Sequence, residues 1–107
     1  MEKLSGKTAL VTGAAGGLGS AIATELAQRG VKVLLTDLQE ERLEKVASTI
    51  DGARFVQHDV TNEVSWQHAI EAAMQDFGGL DIVVNNAGVA VFSLLENLSL
   101  EKFQFMQ

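Results

Sequence analysis

Short, continuous apolar runs alternate with longer amphipathic segments along almost the whole chain, and this alternation narrows the choice of folds more than any other feature. The runs are rich in Val, Leu and Ile and show no strict polar alternation, which is typical of parallel strands covered on both faces. Four runs are predicted to be strands: Thr8–Thr12, Val31–Thr36, Ala53–Gln57 and Leu80–Val84.

Apolar residues in the intervening segments recur at helical spacing. They form three stripes: Leu18, Ile22 and Leu26; Leu43, Val46, Ala47 and Ile50; and Trp66, Ile70, Met74 and Phe77. Thr61 or Asn62 can cap the third helix, and Gly30 and Gly78 are placed to end helices. Strand–helix–strand units in succession predict an α/β fold of the Rossmann type, a doubly wound parallel sheet with strand order 3-2-1-4.

The pattern stops before such a fold would be complete. A last helix is predicted to begin near Ser99 and to carry Phe103 and Met106 on one side, and the chain reaches Gln107 within it. We therefore expect residues 1–107 to form one incomplete domain, a fragment or truncated product of a longer protein. Strand 81–85 would then be an open apolar edge, which predicts self-association or a homo-oligomer through this strand and the last helix.

Composition excludes several classes of function. The net charge of −6 and the lack of a basic stripe argue against a nucleic-acid partner. No apolar run is long enough to span a bilayer and no signal-peptide pattern is present, so a cytoplasmic protein is expected. The chain has no cysteine, and His58 and His68 lack a clustered ligand set, so no metal site is predicted.

A glycine-rich loop, Thr12-Gly13-Ala14-Ala15-Gly16-Gly17-Leu18-Gly19, joins the first strand to the first helix. Glycines at this place permit a tight turn, close approach of the backbone to a pyrophosphate, and close packing of helix on strand. Free N–H groups at the helix start can hold phosphate oxygens, aided by the helix dipole. Alone, the loop could be a purely structural turn, but its position in a βαβ unit favours nucleotide binding.

Asp37 ends the second strand, 18 residues after Gly19. A carboxylate there can accept hydrogen bonds from the ribose hydroxyls of a dinucleotide. The alternative is a helix cap, because Asp37 and Glu40 have capping-box spacing. A 2′-phosphate at ~4 Å from this carboxylate, with no basic residue nearby, would cost about 4 kcal/mol. The sequence therefore predicts NAD in preference to NADP.

Three motifs follow strand ends in order: Thr12, Gly13, Gly17 and Gly19 in the spacing Thr-Gly-x-x-x-Gly-x-Gly, His58-Asp59-Val60-Thr61, and Asn85-Asn86-Ala87-Gly88. Together they resemble the cofactor-binding, N-terminal portion of the short-chain dehydrogenases/reductases. The resemblance covers essentially the whole chain.

The resemblance implies a role for each matching position. The loop residues would line the pyrophosphate and the nearby ribose: Gly13, Ala15, Gly16, Gly17, Leu18 and Gly19. Asp37 would hold the adenine ribose, and the Asp59 carboxylate and Val60 N–H would contact the adenine edge. Asn86, Ala87 and Gly88 would line the cofactor's ribose region and support the sheet, although a polar turn would also explain the asparagines.

The catalytic portion of the family pattern is missing. Hydride transfer in the family relies on a Tyr, a Lys four residues later, a Ser and an Asn, and this chain has no tyrosine. We therefore predict no catalytic residue here: the chain would bind NAD(H) for an oxidoreductase acting on a hydroxyl/carbonyl pair and would itself be redox-inactive. A non-catalytic nucleotide-binding or interaction module and a Rossmann-type methyltransferase are the alternatives.

Overall fold

The computed structural model describes residues 4–86 together with the backbone of residues 104–106. Strands and helices alternate along the chain up to the fourth strand. Their bounds are β1 (Thr8–Val11), α1 (Gly17–Gln28), β2 (Lys32–Asp37), α2 (Glu40–Ser48), β3 (Arg54–Gln57), α3 (Glu63–Phe77), β4 (Ile82–Val84) and β5 (Gln104–Met106).

The five strands form one parallel sheet in the order β3-β2-β1-β4-β5. The predicted order 3-2-1-4, and with it the Rossmann-type doubly wound class, is confirmed. In the central register, Val11 of β1 lies between Leu35 of β2 and Val84 of β4. The ends of these strands therefore reach the same edge of the sheet, where the loops that follow them meet.

The prediction for the end of the chain is wrong where the structure describes it. Residues 104–106 form a strand instead of a helix, and β5 pairs with β4 in parallel, with Val83 opposite Phe105. The start of the predicted helix, Ser99, and its Phe103 lie outside the described residues. A buried strand with an unpaired edge is a template for further pairing. Here the chain's own last residues occupy that edge, so the expected open edge at the fourth strand is not present.

Hydrophobic cores lie on both faces of the sheet because alternate residues of the central strands point in opposite directions. On one face, Ala9 and Val11 pack with residues of α1 and α2. On the other face, Leu10 and Leu34 pack against α3. The unbroken apolar character of β1 and β2 follows directly from this double coverage.

Two residues of the predicted helical stripes lie on the surface instead of in the core. Leu18 is 67% exposed and Met74 is 52% exposed. The face of α3 that packs on the sheet is formed by Trp66, Ala69 and Ala73. Small alanine side chains let the helix lie close to the sheet, and a hydrophobicity pattern weighted toward large residues does not detect them.

The helix ends agree with the sequence. The Asn62 side chain accepts a hydrogen bond from the Ser65 N–H at 3.0 Å and caps α3. Gly30 and Gly78 have φ angles of 87° and 80°, the left-handed conformation expected after a helix. No helix within residues 4–86 has the length and hydropathy needed to cross a lipid bilayer.

Replacing a buried and an exposed leucine by alanine should have different effects on stability. We expect Leu10→Ala, at a fully buried position, to lower the free energy of unfolding by about 2 to 5 kcal/mol, because the contacts are lost and a cavity remains. The matched control Leu18→Ala should change it by less than about 0.5 kcal/mol. Urea unfolding of both variants checks this, and equal losses would contradict the described packing.

Candidate functional site

A cleft of about 110 Å³ lies at the carboxyl edge of the sheet. Its lining comes from the end of β2 and from the turns that follow the first three strands: Gly13, Asp37, Leu38, His58 and Val60. Three of these were predicted site residues. Leu38 and His58 were not, and the structure adds them. In open α/β sheets this edge is where ligands bind.

The loop after β1 turns tightly before the first helix begins. Gly13 has a φ of 63°, a conformation that favours glycine, and the Gly16 N–H donates to the Gly13 carbonyl at 3.2 Å. The α1 helix begins at Gly17, and its N-cap residue, Gly16, has no side chain that could accept hydrogen bonds from the first N–H groups of the helix. Among the described residues, no acceptor bonds the N–H groups of Gly17, Leu18 or Gly19. These amides are therefore donors available to an anion.

Two positions of the loop are occupied by glycine for different physical reasons. A Cβ at Gly19 would overlap the Gly13 carbonyl and lie 2.8 Å from Asn86 Nδ2, so the fold itself requires glycine there. A Cβ at Gly17 would meet nothing within 4 Å, and this glycine has no left-handed φ. Packing does not explain its missing side chain. Open space at the start of a helix with unpaired amides does fit a ligand lying over the loop.

Asn86 connects the end of β4 to the glycine loop. Its side-chain Nδ2 donates to the Gly13 carbonyl at 3.3 Å, and its backbone N–H donates to Thr12 Oγ1 at 3.0 Å. Thr12 Oγ1 in turn donates to the Val84 carbonyl at 3.4 Å. Asn86 therefore braces the glycine loop. Ala87 and Gly88 lie outside the described residues.

The Asp37 carboxylate is held by two backbone amides. Oδ2 accepts from the Ala15 N–H at 3.0 Å, and Oδ1 accepts from the Gln39 N–H at 3.0 Å. The N-cap residue of α2 is Gln39, so the alternative in which Asp37 caps this helix does not describe the structure. Each carboxylate oxygen can accept more than one hydrogen bond, so both remain able to bind a ligand hydroxyl.

Leu38 supplies an apolar wall beside this carboxylate. Its side chain is 58% exposed, although large apolar side chains usually contribute to a core. Together with Val60 it gives the cleft two aliphatic surfaces, which suit the face of a planar ring. Its place between a strand and a helix stripe, belonging to neither, was the sequence signal that could have identified it.

The turn after β3 carries a second carboxylate. Asp59 Oδ1 accepts from the Thr61 hydroxyl at 2.6 Å and from the Thr61 N–H at 3.0 Å. These bonds stabilise the ionised form and lower the pKa of Asp59 below its ordinary value. Asp59 is therefore a charged acceptor at neutral pH, next to a Val60 that lines the cleft.

His58 lies beneath this turn and is only 1% exposed. Its Nδ1 is 2.9 Å from Thr36 Oγ1, and its ring packs edge-to-face with Trp66 at a centroid distance of 4.2 Å. No partner within the described residues bonds Nε2. Burial lowers the pKa of His58 to about 4, the nearby Asp59 opposing this shift in part. His58 is thus a neutral ring at pH 7 and brings no positive charge to the cleft.

Within residues 4–86, no three His, Cys, Asp or Glu side chains are grouped so that they could hold a metal ion. His68, the other histidine, lies on the exposed face of α3.

The match to a known family agrees with this geometry. The family model for short chain dehydrogenase matches residues 7–106, and the chain belongs to this family of oxidoreductases.

Curated relatives align over nearly the whole chain. The NADP-dependent (R)-specific alcohol dehydrogenase of Lentilactobacillus kefiri is 39% identical over 96% of this chain and 42% of its own length. A 2,5-dichloro-2,5-cyclohexadiene-1,4-diol dehydrogenase of Sphingobium indicum is 42% identical over 98% of this chain and 44% of its own length. The chain spans less than half the length of these relatives.

Solved structures show the same fold. The 3-ketoacyl-(acyl-carrier-protein) reductase from Brucella melitensis, complexed with NADH, is 44% identical with a TM-score of 0.76, covering 80% of this chain and 36% of the reductase. A short chain dehydrogenase/reductase from Burkholderia phymatum in complex with NAD is 35% identical with a TM-score of 0.78, covering 83% of this chain and 33% of its own.

Protonation of His58 should make the fold less stable in acid. Its pKa is 6.5 before burial and about 4 in the folded chain, so between these values the unfolded chain binds more protons. The free energy of unfolding should therefore rise between pH 4 and pH 6.5 and stay constant above pH 6.5. The contribution of His58 to this rise is on the order of 3 kcal/mol.

Urea unfolding as a function of pH measures this effect in the wild-type chain and in His58→Gln. The difference between the two pH profiles isolates His58 from the carboxylates, and His68→Gln is the control that removes an exposed histidine. Identical profiles for the wild type and His58→Gln would contradict a buried neutral ring.

Proposed function

We propose that this chain binds NAD(H) and serves as the cofactor-binding portion of an oxidoreductase acting on a hydroxyl/carbonyl pair. One observation carries the proposal. The unpaired amides at the start of α1 and the open space over Gly17 lie beside Asp37, whose carboxylate is joined to the same loop through the Ala15 N–H. Donors for phosphate and an acceptor for sugar hydroxyls are thus built into one surface.

The residues of the loop would hold the pyrophosphate. The N–H groups of Gly17, Leu18 and Gly19 would donate to its oxygens, where the helix dipole also favours negative charge. Gly13 and Gly16 supply backbone that leaves room for this approach, because neither carries a side chain. The Leu18 side chain is exposed and is not part of the core.

Asp37 would bind the adenosine ribose and favour NAD over NADP. No Lys or Arg lines the described cleft, and the buried His58 is neutral, so a 2′-phosphate would face Asp37 without a compensating cation. NAD and NADH in the two solved neighbours support this preference, and the NADP-dependent relative is the counterexample. Like charges at ~4 Å cost about 4 kcal/mol at an effective dielectric of 20.

The adenine would lie between Leu38 and Val60, with its edge toward the Asp59 carboxylate and the Val60 N–H. Asn86 would line the cofactor's ribose region, and we propose the same role for Ala87 and Gly88 from the sequence motif that they share with it. The nicotinamide, when bound, supplies the site that accepts or donates hydride. The sequence contains no tyrosine for the acid–base step that the family pattern uses, so we expect the 107-residue chain to bind the cofactor without turnover.

The Asp37 proposal is tested by calorimetric titration with NAD and NADP. We expect Asp37→Asn to weaken NAD binding by about tenfold, since hydrogen bonds to a charged acceptor are lost. The affinity for NADP should fall less or even rise, because the repulsion between the 2′-phosphate and the Asp37 carboxylate is removed. The ratio of NAD affinity to NADP affinity should therefore become smaller. Asp51→Asn removes the same charge from an exposed position after α2 and is the matched control. An unchanged ratio in Asp37→Asn would exclude this residue from cofactor choice.

Alanine at the two contrasting glycines tests whether the loop is built for a ligand. Gly17→Ala should leave the free energy of unfolding unchanged within about 1 kcal/mol, because its Cβ meets no atom, yet weaken NAD binding at least about tenfold. Gly19→Ala should destabilise the fold by about 2 kcal/mol or more, through overlap with the Gly13 carbonyl. Urea unfolding and calorimetry on the same samples measure both effects. Wild-type affinity in Gly17→Ala would count against phosphate binding at this turn.

A further inference from the structure

The first turn of α3 supports the backbone of the turn that follows β3. Trp66 is fully buried, and its indole Nε1 donates to the Val60 carbonyl at 2.8 Å. The Ser65 hydroxyl accepts from the Asp59 N–H at 2.9 Å. A buried tryptophan needs a hydrogen-bond partner for its N–H, but packing alone does not determine that the partner is this carbonyl.

Among the described residues, these contacts leave a single unpaired backbone N–H in the turn. The N–H groups of His58, Asp59, Thr61 and Asn62 all have acceptors: the Asp37 carbonyl, Ser65 Oγ, Asp59 Oδ1 and the Asp59 carbonyl. The Val60 N–H has no acceptor within residues 4–86. Since the Asp59 carbonyl is bonded on the other side of the same planar peptide, the Val60 N–H points in the opposite direction.

The residue that precedes this donor in the chain carries an acceptor. Both bonds that Thr61 donates go to Asp59 Oδ1, and no bond within residues 4–86 uses Oδ2. One free N–H beside one free carboxylate oxygen is complementary to an adenine edge, where the ring N1 accepts and the 6-amino group donates. Hypoxanthine has the reversed pattern, because its N1–H donates and its 6-oxo group accepts.

We propose that Trp66 and Ser65 are positioning residues that select the base of the bound nucleotide, by holding the turn so that Val60 and Asp59 present this donor–acceptor pair. The inference rests on the proposed function, since it concerns the base of the same cofactor. Neither side chain touches the base. Trp66 acts from beneath through the Val60 carbonyl, with the His58 ring packed against its indole, and Ser65 acts through the Asp59 N–H.

The experiment compares two dinucleotides that differ only at the 6-position of the base, NAD and nicotinamide hypoxanthine dinucleotide. Calorimetric titration of the wild-type chain should show NAD binding at least about tenfold tighter, because both hydrogen bonds mismatch with hypoxanthine. In Trp66→Phe, which keeps an aromatic ring but loses the N–H donor, NAD affinity should fall about fivefold to tenfold. Hypoxanthine dinucleotide affinity should change less than about twofold, so the preference narrows.

A second pair of variants avoids disturbing the core. Ser65→Ala removes the acceptor for the Asp59 N–H at a partly exposed position, and it should reduce the preference for NAD over the hypoxanthine dinucleotide as Trp66→Phe does. Ser65→Thr keeps a hydroxyl and should retain the wild-type preference. Ala73→Gly is the control for destabilisation. It weakens the same buried face of α3 far from the turn and should leave the preference at the wild-type value.

The outcomes separate this inference from the function on which it rests. If the wild-type chain binds neither dinucleotide, the proposed function fails and the inference with it. If the wild type prefers NAD but Trp66→Phe and Ser65→Ala keep that preference, or if Ala73→Gly narrows it equally, only the positioning role is overturned. Wild-type binding without base preference also overturns it.

Discussion

The first turn of α1 lies against the end of β1 at a distance that leaves no room for a Cβ atom at Gly19. This backbone contact determines where the helix begins and therefore where its unpaired amides point. The Asn86 side chain reaches the same Gly13 carbonyl from β4, so three elements meet at one point of the sheet edge. With the helix start fixed there, the carboxylate at the end of β2 reaches the loop, and a cleft between the strand ends follows.

Most of the fold could be predicted from the sequence because it depends on local periodicity. Buried parallel strands read as unbroken apolar runs, and the strand order then follows from the preference for right-handed crossovers. The errors came where periodicity does not determine burial. Met74 fits a helical stripe but faces solvent, whereas Ala69 and Ala73 pack on the sheet. Residues 104–106 fit a helix by spacing, but the unpaired edge of β4 is a tertiary feature that favours a strand.

The candidate site likewise contains residues that the sequence could identify and residues that it could not. Asp37 and the glycine loop are defined by their positions relative to strand and helix ends, which the sequence reveals. His58 and Trp66 enter the site only because distant segments meet. A histidine following a strand gives no sign that it will be buried against an indole, and a tryptophan in an apolar stripe gives no sign that its N–H will bond a backbone carbonyl of the neighbouring turn.

Through its bond to the Ala15 N–H, the Asp37 side chain takes part in both halves of the cleft, the glycine loop proposed to bind phosphate and the end of β2 proposed to bind ribose. A hydrogen bond within the chain restricts both groups to one arrangement, and groups ordered in this way lose less conformational freedom when a ligand binds. The same bond makes the two halves interdependent, so the energetic effects of changes at Asp37 and in the loop should not be additive. Redesign of nucleotide preference at this position would therefore need a residue that still accepts a hydrogen bond from the loop, as a basic side chain alone cannot.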